Sequence, residues 1–146
     1  MRTGQLDEAS RLVEVAVAEL AVEDPDSPAE PDSAGAWALE MLGATRLATG
    51  SAESAYDCHT RSLGSFRSRN ERYGSACALL NLGRCAAALG WTDIARDHFA
   101  VSGRCFAEMG NLDGQADAEE GLAALPEEVE PARRPRASRF SGRAAK

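Results

Sequence analysis

One stretch decides the fold: Ala76-Cys77-Ala78-Leu79-Leu80-Asn81-Leu82-Gly83-Arg84-Cys85-Ala86-Ala87-Ala88-Leu89-Gly90, followed at once by Trp91-Thr92-Asp93-Ile94-Ala95-Arg96-Asp97-His98-Phe99-Ala100-Val101-Ser102-Gly103-Arg104-Cys105-Phe106. It reads as two helices joined by a tight turn. Its pattern also stands forty residues earlier. Gly43 matches Gly83, Gly50 matches Gly90, Ala55 matches Ala95, Ser62 matches Ser102 and Phe66 matches Phe106, while Gly74 matches Gly114 in the same step. A fixed period of roughly 20–50 residues marks units that bury their apolar faces by stacking on one another.

Working outward, the second helix of each unit has a counterpart near the start. Aligning Ala9 with Ala55 puts Leu6, Ala9, Val13, Ala16, Val17 and Leu20 on one helical face. Residues 4–22 are therefore expected to be a half repeat, a second helix without its first. Residues 23–33 carry three prolines and read as a linker, with Asp32 or Ser33 capping the helix that follows. Full units are expected at 34–73 and 74–113. In the first, Leu39, Leu42 and Leu47 face inward from helix 34–48, and Ala55, His59, Ser62, Leu63 and Phe66 from helix 52–69. The second runs through helices 75–88 and 92–109. A capping helix at 114–125 ends at Pro126. Residues 126–146 are polar, charged and proline-punctuated, and are expected to be disordered because they hold too little apolar surface to offset ordering entropy. The expected fold is all-α: a short solenoid of antiparallel helical hairpins, about six helices in all.

Within each unit, Leu39-x-x-Leu42-Gly43, Gly50 and Ala55, then Leu79-x-x-Leu82-Gly83, Gly90 and Ala95, resemble the tetratricopeptide repeat. The longer period, and the closing phrase Gly110–Gly114 with Glu120–Leu125, resemble the extended repeats of large bacterial signal-responsive transcriptional regulators. The resemblance covers roughly residues 4–125. His59 stands where such repeats usually have an aromatic, and Arg67 and Ala107 stand where a proline often ends the repeat. The sequence holds no Gly-rich nucleotide loop and no helix-turn-helix reader, so ATP and DNA chemistry do not carry over.

The resemblance implies a concave groove lined by first helices. Its positions fall on Trp37, Glu40, Met41 and Ala44, on Cys77, Leu80, Asn81 and Arg84, and on Asp117, Glu120 and Gly121. An Asn81 amide both donates to and accepts from an extended peptide, and the planar fork of Arg84 suits a carboxylate. The plain alternative is a solvated polar face. Trp37 either anchors a partner or packs under the linker; Trp91, at the inter-helix turn, is expected to cover the neighbouring repeat. The expected function is non-catalytic binding of a protein or peptide, regulatory or scaffolding. The alternative is a sensor region taking a small signal molecule or signalling peptide.

Bulk composition narrows the classes. Aromatics are 5% of residues, so the core must be built largely from Ala and Leu. The four cysteines, Cys58, Cys77, Cys85 and Cys105, form no CxxC pair and read as small core residues of a reducing, cytoplasmic compartment. With His59 and His98 they supply metal-binding atoms, but at spacings of no known site; neither cofactor nor metal is expected. No apolar run approaches the ~20 residues of a membrane span. Residues 1–132 hold 10 Arg against 23 acids, a net −13, whereas 133–146 hold five Arg, one Lys and no acid, a net +6. The acidic body repels nucleic acid, leaving only weak binding through the basic tail. Units that stack only on neighbours leave apolar ends, so self-association is a further expectation.

Overall fold

The computed structural model describes residues 32–127, together with Glu8, Arg11, Leu12 and Val15, which are helical and exposed. Most of the expected half repeat 4–22, most of the linker 23–33 and most of the tail 126–146 lie outside the described residues. Five helices and no strand occur among those described: α1 (Ser33–Ala48), α2 (Ala52–Ser68), α3 (Arg72–Ala88), α4 (Thr92–Glu108) and α5 (Leu112–Ala124).

The four turns between them are built alike. In each, one residue has a positive φ: Gly50 (91°), Asn70 (59°), Gly90 (80°) and Gly110 (73°). The next backbone N–H then closes on the carbonyl five residues back, as in Ser51 to Arg46, Glu71 to Phe66, Trp91 to Ala86 and Asn111 to Phe106, at 2.8–2.9 Å. This is the Schellman ending, which satisfies the last carbonyls and reverses the chain. Asn70 fills the position where its counterpart forty residues on is Gly110, because a short amide side chain tolerates the left-handed conformation.

Helix starts differ from the sequence reading in two places. The helix expected from Ser75 begins at Arg72, and the one expected from Gly114 begins at Leu112. Gly74 and Gly114 look like loop residues but lie within first turns. Phe66 and Phe106 occupy the space where their Cβ atoms would be. Asn111 caps α5 by accepting from the Gly114 N–H at 2.8 Å, and Asp32 caps α1 by accepting from the Gly35 N–H at 2.8 Å.

Consecutive helices pack antiparallel. Phe106 sits on Gly114 and Phe99 on Gly121, so contacts descend α4 as they ascend α5. The same ordering holds for Arg46 with Ser54 and Glu40 with His59 between α1 and α2. Alternate helices α1 and α3, and α3 and α5, also touch. The core follows this order. Ala36, Leu63, Phe66, Ala78, Leu79 and Leu82 fill the space among α1, α2 and α3; Ala76, Leu80, Ala86, Ala95, Phe99, Phe106 and Ala118 fill that among α3, α4 and α5. Small residues on one helix admit rings from the next, so few aromatics suffice to close the interior.

Candidate functional site

Because α1, α3 and α5 run parallel and touch in sequence, their free sides form one surface. Large apolar side chains lie open on it: Trp37 and Met41 of α1, at 36% and 60% exposure, and Tyr73 of α3 at 53%. Trp37 lies on the ring of Phe66, centroids 4.8 Å apart, and reaches Tyr73 at 6.0 Å; Tyr73 meets Phe106 edge-on at 6.1 Å. Trp37 therefore both packs and shows itself. Cys77, one turn beyond Tyr73, is half-buried, and its thiol is pushed up by burial, opposed by a hydrogen bond from Tyr73. Ala44 and Arg84 are exposed further along, as are Asp117 and Glu120 on α5.

Glu40, expected on this surface, lies beneath it at 5% exposure. The cause is His59, fully buried on α2, whose Nδ1 donates to Glu40 Oε2 at 2.7 Å. Ser62 donates to the same oxygen. Glu40 Oε1 accepts from Asn81 Nδ2 at 2.8 Å, and Asn81 Oδ1 accepts from Arg84 at 3.3 Å. A buried carboxyl group is tolerable only when its oxygens are met in this way. The half-buried Asn81 amide is thus the bridge between surface and interior. Leu80 is also buried, and Gly121 lies under Phe99, so neither lines the open face.

Glu, His and Ser together suggest acyl-transfer chemistry, but the geometry supports another role. Ser62 bonds Glu40 rather than His59, and His59 Nε2 lies against Gly43 with no hydrogen-bond partner among the described residues. A nucleophile needs its base within hydrogen-bond reach and room for substrate; all three side chains are closed in.

The back of the stack carries a second polar–aromatic joint with little trace in the local sequence pattern. Tyr56 of α2 meets Trp91 edge-on at 5.3 Å, and its hydroxyl is hydrogen-bonded to His98 Nε2 at 3.0 Å. Trp91 thus contacts the neighbouring hairpin. Burial holds the pKa of His98 down, with Asp97 opposing and Arg67 assisting, and burial also raises Tyr56. The four cysteines are free thiols. Among the described residues no group of three or more His, Cys, Asp or Glu is placed to hold a metal ion, and no helix is long and apolar enough to cross a membrane. Compared with known proteins, the chain matches no family model and no curated protein.

Proposed function

We propose that the chain is a tetratricopeptide-like solenoid acting as a non-catalytic interaction module, regulatory or scaffolding, whose α1–α3–α5 face takes a peptide or helix. The observation that carries this reading is the row Trp37, Met41 and Tyr73, three large apolar side chains left open on parallel helices, with Arg84 and the Asn81 amide further along the same helices. Large side chains on rigid helices bind at little entropic cost. Contact between alternate helices, without comparable packing between α2 and α4, supports the solenoid. The filled interior, where rings cover Gly43, Gly74, Gly83, Gly114 and Gly121, favours an external groove over an enclosed pocket for a small signal molecule. A cytoplasmic setting belongs to the same reading, supported by four free thiols.

Peptides selected from a displayed library on the full chain test this. Met41→Glu with Arg84→Ala should weaken their binding at least tenfold with an unchanged melting temperature. Binding untouched by both substitutions would remove the reading. The Asn81→Ala variant serves poorly, since it also strips a donor from buried Glu40.

A further inference from the structure

Asn81 lies half-buried on α3, and its amide is turned by what lies beneath it. Its Nδ2 donates inward to Glu40 Oε1 at 2.8 Å, and its Oδ1 accepts from Arg84 at 3.3 Å. A carboxylate has no donor and a guanidinium has no acceptor. Only one of the two amide orientations therefore satisfies both neighbours. The inner contact is the firmer of the two. It is short and made to a carboxyl group only 5% exposed, whereas the Arg84 contact is longer and open to solvent.

Glu40 is itself held from another side. Its Oε2 is met by His59 Nδ1 at 2.7 Å and by the Ser62 hydroxyl, both side chains fully buried on α2. Among the described residues, Asn81 alone meets Oε1. Turning the amide over would set Oδ1 against Oε1, acceptor on acceptor. A buried acceptor left without a donor carries its whole desolvation cost.

The side of Asn81 that faces Arg84 is therefore an acceptor beside a cation. A carbonyl oxygen has a second lone pair to offer. Arg84 is exposed and in no ion pair among the described residues, so most of its donors are open. The two residues are three apart and neighbours on one face of α3. In an extended chain the N–H and C=O of one residue leave from the same edge, as when facing residues of an antiparallel ladder exchange both bonds. One residue of an extended segment thus matches the pair, its N–H on Asn81 Oδ1 and its C=O on Arg84. A helix spends these groups on its own ladder.

We propose that Glu40 is a positioning residue for recognition: it fixes Asn81 with Oδ1 toward Arg84, so that the pair reads the N–H and C=O of one residue and selects an extended segment over a helix. This rests on the α1–α3–α5 face being the binding surface, and it names the backbone chemistry of the occupant. The specificity of the open face is set from the buried joint between α1, α2 and α3.

The test uses a peptide selected on the full chain from a displayed library and weakened by Met41→Glu. Each backbone amide in it is replaced in turn by an ester, which removes one N–H. Titration calorimetry should find one position where the ester weakens binding to the native chain by about tenfold, the size of a lost hydrogen bond. Glu40→Gln keeps the shape of the side chain. Its carbonyl oxygen faces His59 and Ser62, so its amino group faces Asn81 and turns that amide over; ester and parent peptide should then bind alike. Glu40→Leu/His59→Phe leaves the Asn81 amide unrestrained and should also shrink the ester penalty, which keeps the test open if Glu40→Gln fails to fold. A Glu40 that only supports the fold would weaken parent and ester equally. An ester penalty unchanged in the variants therefore overturns the proposal. So does a native chain in which no single ester weakens binding, although the groove then stands, and so do selected peptides whose circular dichroism shows that they bind as helices. If no selected peptide senses Met41→Glu, the groove and the proposal fall together.

Discussion

Glu40 and Asn81, forty-one residues apart, meet at 2.8 Å where α1 passes α3, so the first hairpin is joined to the second by a hydrogen bond inside the interface. The next turn of the stack handles the same place differently. Forty residues after Glu40 and His59 stand Leu80 and Phe99, both buried, and forty after Asn81 stands Gly121. His59 covers Gly43 as Phe99 covers Gly83, the nearest ring atoms 2.6 and 2.7 Å from where a Cβ would be. The polar set Glu40–His59–Asn81 is thus a joint replacement of an apolar set in one geometry. Each member requires the others: the imidazole needs an acceptor, and the second carboxyl oxygen needs a donor.

A double-mutant cycle exposes this mutual requirement. Glu40→Leu strands His59 Nδ1 and the Asn81 amide, and should cost about 3 kcal/mol. His59→Phe leaves the buried carboxyl with fewer donors, and should cost about 2 kcal/mol. The double variant restores the Leu80–Phe99 pairing, with only the half-buried Asn81 amide left without Glu40, and should be less destabilised than Glu40→Leu alone, since apolar isosteres of a buried polar pair are often neutral. Urea denaturation measures all three. Strictly additive losses would show that the pair does not act as a unit.

Glycines within helices should divide by what faces them. A Cβ at Gly43 would fall 2.6 Å from the His59 ring, and one at Gly74 would meet Phe66 closer still. Alanine there should destabilise by about 1–3 kcal/mol despite its better helix propensity. At Gly103 the nearest atom is the Ala118 Cβ at 3.4 Å, an ordinary contact. Gly103→Ala should stabilise by about 0.5–1 kcal/mol. Thermal melts of the three variants check the ordering, and a stabilised Gly74→Ala would contradict the packing described.

Thiol reactivity offers a probe of the interface between α2 and α3. Burial pushes the Cys85 thiol up from 9.0 to about 11, with Glu40 and Cys58 adding to the rise, and burial is also the main cause that raises Cys58. Only the thiolate is nucleophilic. In the folded chain at pH 8 both should resist iodoacetamide and react only on unfolding, as mass spectrometry of time points would show. The sign follows for stability: a raised folded pKa means the native state keeps a proton that the unfolded state loses, so Cys85 favours folding below pH 9 and this contribution fades as the pH climbs towards 11. Rapid labelling of Cys85 in native buffer would rule out its burial.

The forty-residue period was legible because the turns demand it: Gly50, Gly90 and Gly110 each occupy a left-handed position that few residues tolerate. The turn at Asn70 was not, since asparagine is common everywhere and its role shows only in the backbone. Apolar inward residues such as Leu39, Leu42 and Phe66 announced themselves by spacing, and they are buried. Glu40 did not, because a carboxylate on a helix face is ordinarily solvated. Its burial depends on His59, which spacing placed inward but with no sign of a carboxylate partner on the facing helix. The Tyr56–His98 contact joins residues on different hairpins, which no local pattern encodes.

That contact makes the back of the stack sensitive to acid. The Tyr56 hydroxyl is hydrogen-bonded to His98 Nε2, and burial lowers the His98 pKa from 6.5, opposed by Asp97 and helped by Arg67. Protonation puts a charge on a half-buried ring beside Tyr56, which burial disfavours. The unfolded chain takes up the proton first as the pH falls, so stability is fully present above about 6.5 and declines below it until the folded pKa is passed. His98→Gln keeps an acceptor but does not titrate. Its melting temperature should fall less than the native value between pH 7 and pH 5. Tyr56→Phe should lower stability by about 1 kcal/mol at pH 7 through the lost hydrogen bond. Parallel pH profiles for native and His98→Gln chains would show that the joint does not report on pH.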